Sequence, residues 1–189
     1  MPIEGGHPAR HTFEGERATM VGWTPDGRVL YSTGHHSTLS NIQLGAIDLK
    51  TGQSALLPLS QANDGAYDVA GKTLFFTRLP FQGSHTKRYR GGTAQNLWKY
   101  VEGQAEATPL TADFPGTSKT PLWWKDRIYF VSDRDGTMNL WSRRPGTSAC
   151  AIVRPSFCRM GSPFWLTSTK PENWNSARYR PTAWGKSKP

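Results

Sequence analysis

Short runs in which apolar and polar residues alternate, each closed by a polar or glycine-containing turn, recur along most of this chain. Pro121 to Ser142, PLWWKDRIYFVSDRDGTMNLWS, shows the unit most clearly. Leu122 to Trp124 ends at the polar pair Lys125-Asp126. Arg127 to Ser132 alternates and is rich in aromatic and β-branched residues, which suit a half-buried pleated surface. Asp133-Arg134-Asp135-Gly136 is a turn, because glycine tolerates positive φ and aspartate satisfies its own backbone. Met138 to Trp141 starts the next strand, so the stretch predicts an antiparallel meander.

The same order occurs twice upstream. Met20 to Thr33 reads as strand, Pro25-Asp26-Gly27 turn, strand, and Leu44 to Leu59 as strand, Lys50-Thr51-Gly52 turn, strand. Gly65 to Thr77 and Asn96 to Leu110 repeat it. Trp23, Tyr67 and Trp123 fall in equivalent first strands; Asp26-Gly27, Ala70-Gly71 and Lys125-Asp126 fall in equivalent turns, as do Gly52, Gly103 and Gly146. A four-stranded unit repeating every ~40 to 45 residues is the signature of a β-propeller blade. The expected fold is therefore all-β, a partial propeller of two to three four-stranded antiparallel blades with a disordered C-terminal tail. Residues 18–61 form one blade, 62–112 a second carrying an insertion at 81–92, and 113–153 an incomplete third, which Ala149 to Val153 would finish. Residues 1–17 read as the end of a truncated blade, with Pro8 to Thr12 as its last strand.

Composition departs from this pattern only at the C-terminus. The chain of 189 residues has a pI of about 9.8, a value that suggests a nucleic-acid partner. Residues 1–142, however, carry 14 lysines and arginines against 13 aspartates and glutamates, whereas 143–189 carry nine against Glu172 alone. The basicity belongs to the tail, which lacks sustained alternation and is broken by prolines, so no specific nucleic-acid partner is expected. Residues 154–189 read as disordered. Read from the third base of each codon, DNA compatible with Ser156 to Trp174 can encode ILPDGKPILADVYEAGKLE, which has the strand-PDG-strand form of the repeats. The tail is accordingly expected to be a frameshifted remnant. Cys150 and Cys158 both lie near it and say little about redox compartment. The N-terminus has no apolar signal-peptide core, and no run approaches the ~18 apolar residues of a membrane span. A cytoplasmic location without a membrane partner is the default expectation.

Candidate chemistry is sparse. No G-x-S-x-G elbow occurs, and Ser37 beside His35 and His36 on one loop is poor raw material for a catalytic triad. His7 and His11 have helical spacing, but Pro8 argues against a helix and hence against a zinc pair. No catalytic residue, metal or cofactor is expected. Trp23, Trp98, Trp123, Trp124 and Trp141 are expected to pack between blades. The remaining cluster is Lys87, Arg88, Tyr89 and Arg90, on the insertion. In an extended segment Arg88 and Arg90 would point to one side and Tyr89 to the other. The two guanidiniums would then converge on a peptide carboxylate.

Together with the repeats, PIEGGHPARHTF, VGWTPDGRVLYST, TKRYRGGTAQNLWKY and DRIYFVSDRDGTMNLWS resemble the N-terminal β-propeller of tricorn-type serine proteases, which belong to the carboxyl-terminal-processing class of peptidases. The likeness covers about residues 2–142. It implies a non-catalytic, substrate-gating propeller that guides peptides towards a separate peptidase domain, with the catalytic residues lying in that other domain. As a fragment of such a protein, the chain need have no independent function. The alternatives are a stand-alone peptide- or protein-binding module that self-associates through open blade edges to close its ring, and part of a hydrolase acting with a separate protease chain.

Overall fold

In the computed structural model, residues 5–39, 41–80, 88–147 and 149–153 are described. The expectations for Lys87, for most of the insertion and for residues 154–189 lie outside them. Twelve strands form three antiparallel sheets of four. The first contains β1 (Ala18–Trp23), β2 (Val29–Thr33), β3 (Gln43–Ile47) and β4 (Ser54–Leu56). The second contains β5 (Asp64–Tyr67), β6 (Thr73–Thr77), β7 (Leu97–Val101) and β8 (Thr108–Pro109). The third contains β9 (Ser118–Trp124), β10 (Arg127–Ser132), β11 (Asn139–Arg143) and β12 (Cys150–Ile152). Each sheet is a meander in chain order, as the turn spacing predicts.

Two apolar layers hold the sheets together. Leu30, Leu44, Ala62, Leu74 and Phe76 form the layer between blades 1 and 2. Phe75, Leu97, Ile128 and Phe130 form the layer between blades 2 and 3, with Trp123 and Trp141 packed against it. Consecutive residues of a strand point to opposite faces, so Phe75 and Phe76 serve different layers and blade 2 is buried on both sides. Phe75 also stacks on Trp123, with centroids 5.3 Å apart and planes within 6°. At about 25 cal/mol per Å² of apolar surface, layers of this kind are the main force joining the blades.

Two sequence expectations change. Residues 5–17 contain no strand, so the Pro8–Thr12 strand is not formed. Proline lacks the N–H that a ladder needs, and the segment is anchored by a side chain instead. The Glu14 carboxylate accepts hydrogen bonds from Tyr31 Oη at 2.8 Å and Thr33 Oγ1 at 2.7 Å. The first strand of the third blade begins at Ser118, well before Leu122. A bulge places Thr120 and Pro121 opposite Phe130, and the ladder resumes on either side of the proline. A matching bulge at Val21 interrupts β1.

Candidate functional site

β1, β5 and β9 are the terminal strands of their sheets, and they line one groove. Its first chamber, about 690 Å³, is bordered by Glu16, Arg17, Ser32, Asn63, Asp64 and Thr120. Its second, about 400 Å³, is bordered by Trp23, Pro25, Tyr67, Val69, Leu122 and Trp123. Val21, Gly65 and Pro121 border both chambers and form the waist between them. All three strands run from the first chamber to the second, so the groove follows the strand direction. The waist coincides with the two bulges, which re-aim backbone and side chains locally. The arrangement is a slot flanked by edge strands, each with one row of backbone N–H and C=O groups unused by its own ladder.

The two chambers differ in aromatic lining: Trp23, Tyr67 and Trp123 border the second, and no aromatic residue borders the first. In the first chamber Asp64 accepts the Thr77 N–H at 3.1 Å and the Thr120 N–H at 3.2 Å, and Thr77 Oγ1 also donates to it. Burial pushes the Asp64 carboxyl above its ordinary value, against these hydrogen bonds and the nearby charge of Lys119. The second chamber is aromatic and proline-lined. Here the expectation for the tryptophans divides. Trp98, Trp123 and Trp141 pack against the interblade layers. Trp23 is 56% exposed and Trp124 is 39% exposed. Both lie at hairpin ends, and neither belongs to an interblade layer.

Residues 88–92, the described part of the insertion, border neither chamber. Arg88 adopts φ 58°, so the extended geometry expected for residues 88–90 is not formed. Its Nε donates to the Gly136 carbonyl of the third blade at 3.2 Å. Tyr89 Oη accepts from Thr93 Oγ1 at 2.9 Å, and Arg90 is exposed. The structure thus brings Arg88 to an adjacent blade and does not pair it with Arg90 by strand alternation. On the β2–β3 loop, His36 Nε2 lies 3.4 Å from Glu14, and Ser37 Oγ accepts the Leu39 N–H at 3.2 Å. Burial raises Glu14's proton affinity, but hydrogen bonds from Thr33 and Tyr31 and the charges of His36 and His35 outweigh it and hold its carboxyl below the ordinary range. His7 and His11 are exposed on the N-terminal segment. Alternation and turn spacing do not reveal this axial slot; its signal in the sequence is the aromatic residue in each of the three equivalent first strands, Trp23, Tyr67 and Trp123.

Four-stranded meanders stacked face to face around a shared line of first strands define a β-propeller architecture. The chain belongs to the family described as the tricorn protease N-terminal beta propeller domain, whose model matches residues 1–154. Tricorn protease homolog 1 of Streptomyces coelicolor is 38% identical over 143 residues, covering 75% of this chain and 13% of that protein. The tricorn protease homolog of Saccharolobus solfataricus is 25% identical over 144 residues, covering 74% of this chain and 13% of that protein. A crystal structure of the tricorn protease superposes with a TM-score of 0.62 at 25% identity, over 71% of this chain and 13% of that one. A TolB structure from Agrobacterium tumefaciens shares the fold, with a TM-score of 0.60 at 16% identity over 80% of this chain and 54% of that one. The chain therefore spans about 13% of the length of these curated relatives.

Proposed function

We propose that this chain is a non-catalytic propeller module that gates or guides peptides towards the peptidase part of a tricorn-like protease. The observation that supports it best is the axial slot, a continuous groove flanked by three edge strands, in a chain of this family. An extended peptide fits such a slot because its backbone can meet unused strand edges while its side chains enter the chambers on either side of the waist.

Lys87, Arg88, Tyr89 and Arg90 complete this reading as the element that holds a peptide's terminal carboxylate. Arg88 is already tethered to Gly136, which orients the loop, and Arg90 faces solvent. Binding on so open a surface is expected to be weak and salt-sensitive. Titration calorimetry of the full chain with acidic peptides at low and high salt tests it. Binding should be weaker for the carboxyl-amidated peptides and lost in Arg88→Ala/Arg90→Ala. Equal affinity in the wild type and the double variant would make the cluster loop scaffolding.

A second reading, self-association into a closed ring, is favoured by one observation. The faces of the outer blades pointing away from blade 2 carry exposed apolar residues, Met20 and Leu56 on blade 1 and Leu140 on blade 3. Analytical ultracentrifugation tests it: a monomer at high micromolar concentration would rule it out.

A further inference from the structure

We infer that the axial slot selects extended peptides by an apolar side chain seated in its second chamber, with Trp23 as the specificity-determining residue. The inference rests on the peptide-guiding reading and names the class of peptide.

Two tryptophans of one chamber differ in how they are packed. Trp123 is fixed by its stack on Phe75 and forms a rigid wall. Trp23 borders the same space, yet it is 56% exposed. It stands at the end of β1, where the Trp23–Val29 pair closes the ladder before the turn and fixes the backbone that carries the indole. Pro25, Tyr67 and Leu122 complete the lining, and Val69 stands 88% exposed at the rim. Rigid aromatic walls around an open space are the usual anchors of peptide side chains, because the large apolar area they offer carries little conformational entropy to lose. A chamber of about 400 Å³ is large enough for a leucine or phenylalanine side chain together with the adjoining backbone.

The first chamber has no aromatic wall. Glu16, Arg17, Asn63 and Asp64 border it, together with the aliphatic Met20, Val21, Ile42 and Pro80. An apolar side chain there meets scattered aliphatic groups beside charged ones, without the flat aromatic surfaces of the second chamber. The waist sets the backbone path between the chambers. Pro121 has no N–H to donate, so β9 offers an incoming strand no backbone donor from that residue at the waist. The six residues of β1 correspond to roughly 20 Å of extended chain, so a hexapeptide matches the slot.

The test uses the full chain and uncharged hexapeptides, N-acetylated and C-amidated, with leucine, phenylalanine or serine at one central position. Amidation removes the carboxylate that Arg88 and Arg90 would hold, so the result reports the slot alone. Calorimetric titration should show the leucine and phenylalanine peptides binding roughly tenfold more tightly than the serine peptide, the scale expected for burying one large apolar side chain. Trp23→Ala should bring the three peptides to within about twofold of one another, and Trp23→Phe should keep most of the preference. Trp23 is exposed, so both variants should unfold at the wild-type temperature, which separates lost binding from lost fold. Equal binding of all three peptides to the wild type, or an unchanged preference in Trp23→Ala, overturns the assignment while leaving peptide guidance standing. Failure of every peptide to bind, charged ones with free carboxylates included, overturns both.

Discussion

The Asp64 carboxylate, at the start of β5, accepts the backbone N–H of Thr120 in β9 at 3.2 Å and so ties the second blade to the third. Thr120 sits at φ 56°, an uncommon conformation for a β-branched residue, within the bulge that carries the strand past Pro121. The same carboxylate binds the Thr77 backbone and hydroxyl on β6. One side chain thus closes the end of its own hairpin and anchors the neighbouring bulge.

Asp64→Ala is expected to destabilise the chain by about 1–3 kcal/mol, because three donors lose their acceptor in a largely buried place. The penalty should depend on pH. Burial holds the Asp64 carboxyl above its ordinary value, so the folded chain binds this proton more tightly than the unfolded one. Its contribution is fully present below the unfolded value of about 3.9 and fades as the pH rises through the folded value. Thermal unfolding of both proteins should show a wider gap at pH 4 than at pH 7. Carboxyls held low, such as Glu14, Asp26 and Asp113, lose their contributions on acidification but do so in both proteins, so they cancel in the difference. A gap that narrows at pH 4 would contradict this account.

Gly45→Ala is expected to cost about 1–3 kcal/mol through overpacking. A Cβ at Gly45 would stand 2.9 Å from Tyr31 Cζ and 3.0 Å from its Oη. The ring cannot swing away freely, since its hydroxyl is held by Glu14 and the residue is 3% exposed. Burial and the Glu14 carboxylate together push the Tyr31 phenol up to about 12. Denaturant unfolding measures the cost, and the double variant Gly45→Ala/Tyr31→Leu should recover part of it. No recovery would place the strain elsewhere.

The Lys125–Asp126 turn should accept glycine with a gain in stability. Gly27 and Gly71 hold positive φ at the equivalent turns of blades 1 and 2, at 81° and 73°. Here two L-residues do the same, Lys125 at 45° and Asp126 at 59°. Left-handed backbone costs non-glycine residues ~1–2 kcal/mol each, and Asn-Gly is the preferred pair for a two-residue hairpin of this kind. Lys125→Asn/Asp126→Gly should therefore raise the unfolding free energy by about 1 kcal/mol. A lower unfolding temperature would show that the Lys125 ammonium, 4.4 Å from the Trp124 ring centroid, matters more than the backbone strain.

What the sequence determined by itself was everything governed by neighbours along the chain. Turn spacing and runs of apolar, β-branched and aromatic residues placed β2, β3, β6, β7 and β10, because both are local properties of the chain, and the turns at Gly27, Gly71 and Asp126 fell where the repeat required. That β2, β3 and β6 are buried at consecutive positions was decided by packing on both faces. The near-45-residue repeat then implied stacked blades. The three-dimensional arrangement decided the rest. Whether Pro8–Thr12 forms a strand depends on finding a ladder partner, and Glu14 reaching Tyr31 and Thr33 replaces that ladder with side-chain bonds. Arg88 and Arg90 do not alternate along an extended segment, because Arg88 is left-handed and donates to the Gly136 carbonyl of another blade. Trp23 and Trp123 occupy equivalent positions in the repeat, and only stacking separates them: Phe75 covers one, and open groove surrounds the other. Such differences come from contacts between residues far apart in the chain, which local patterning does not encode.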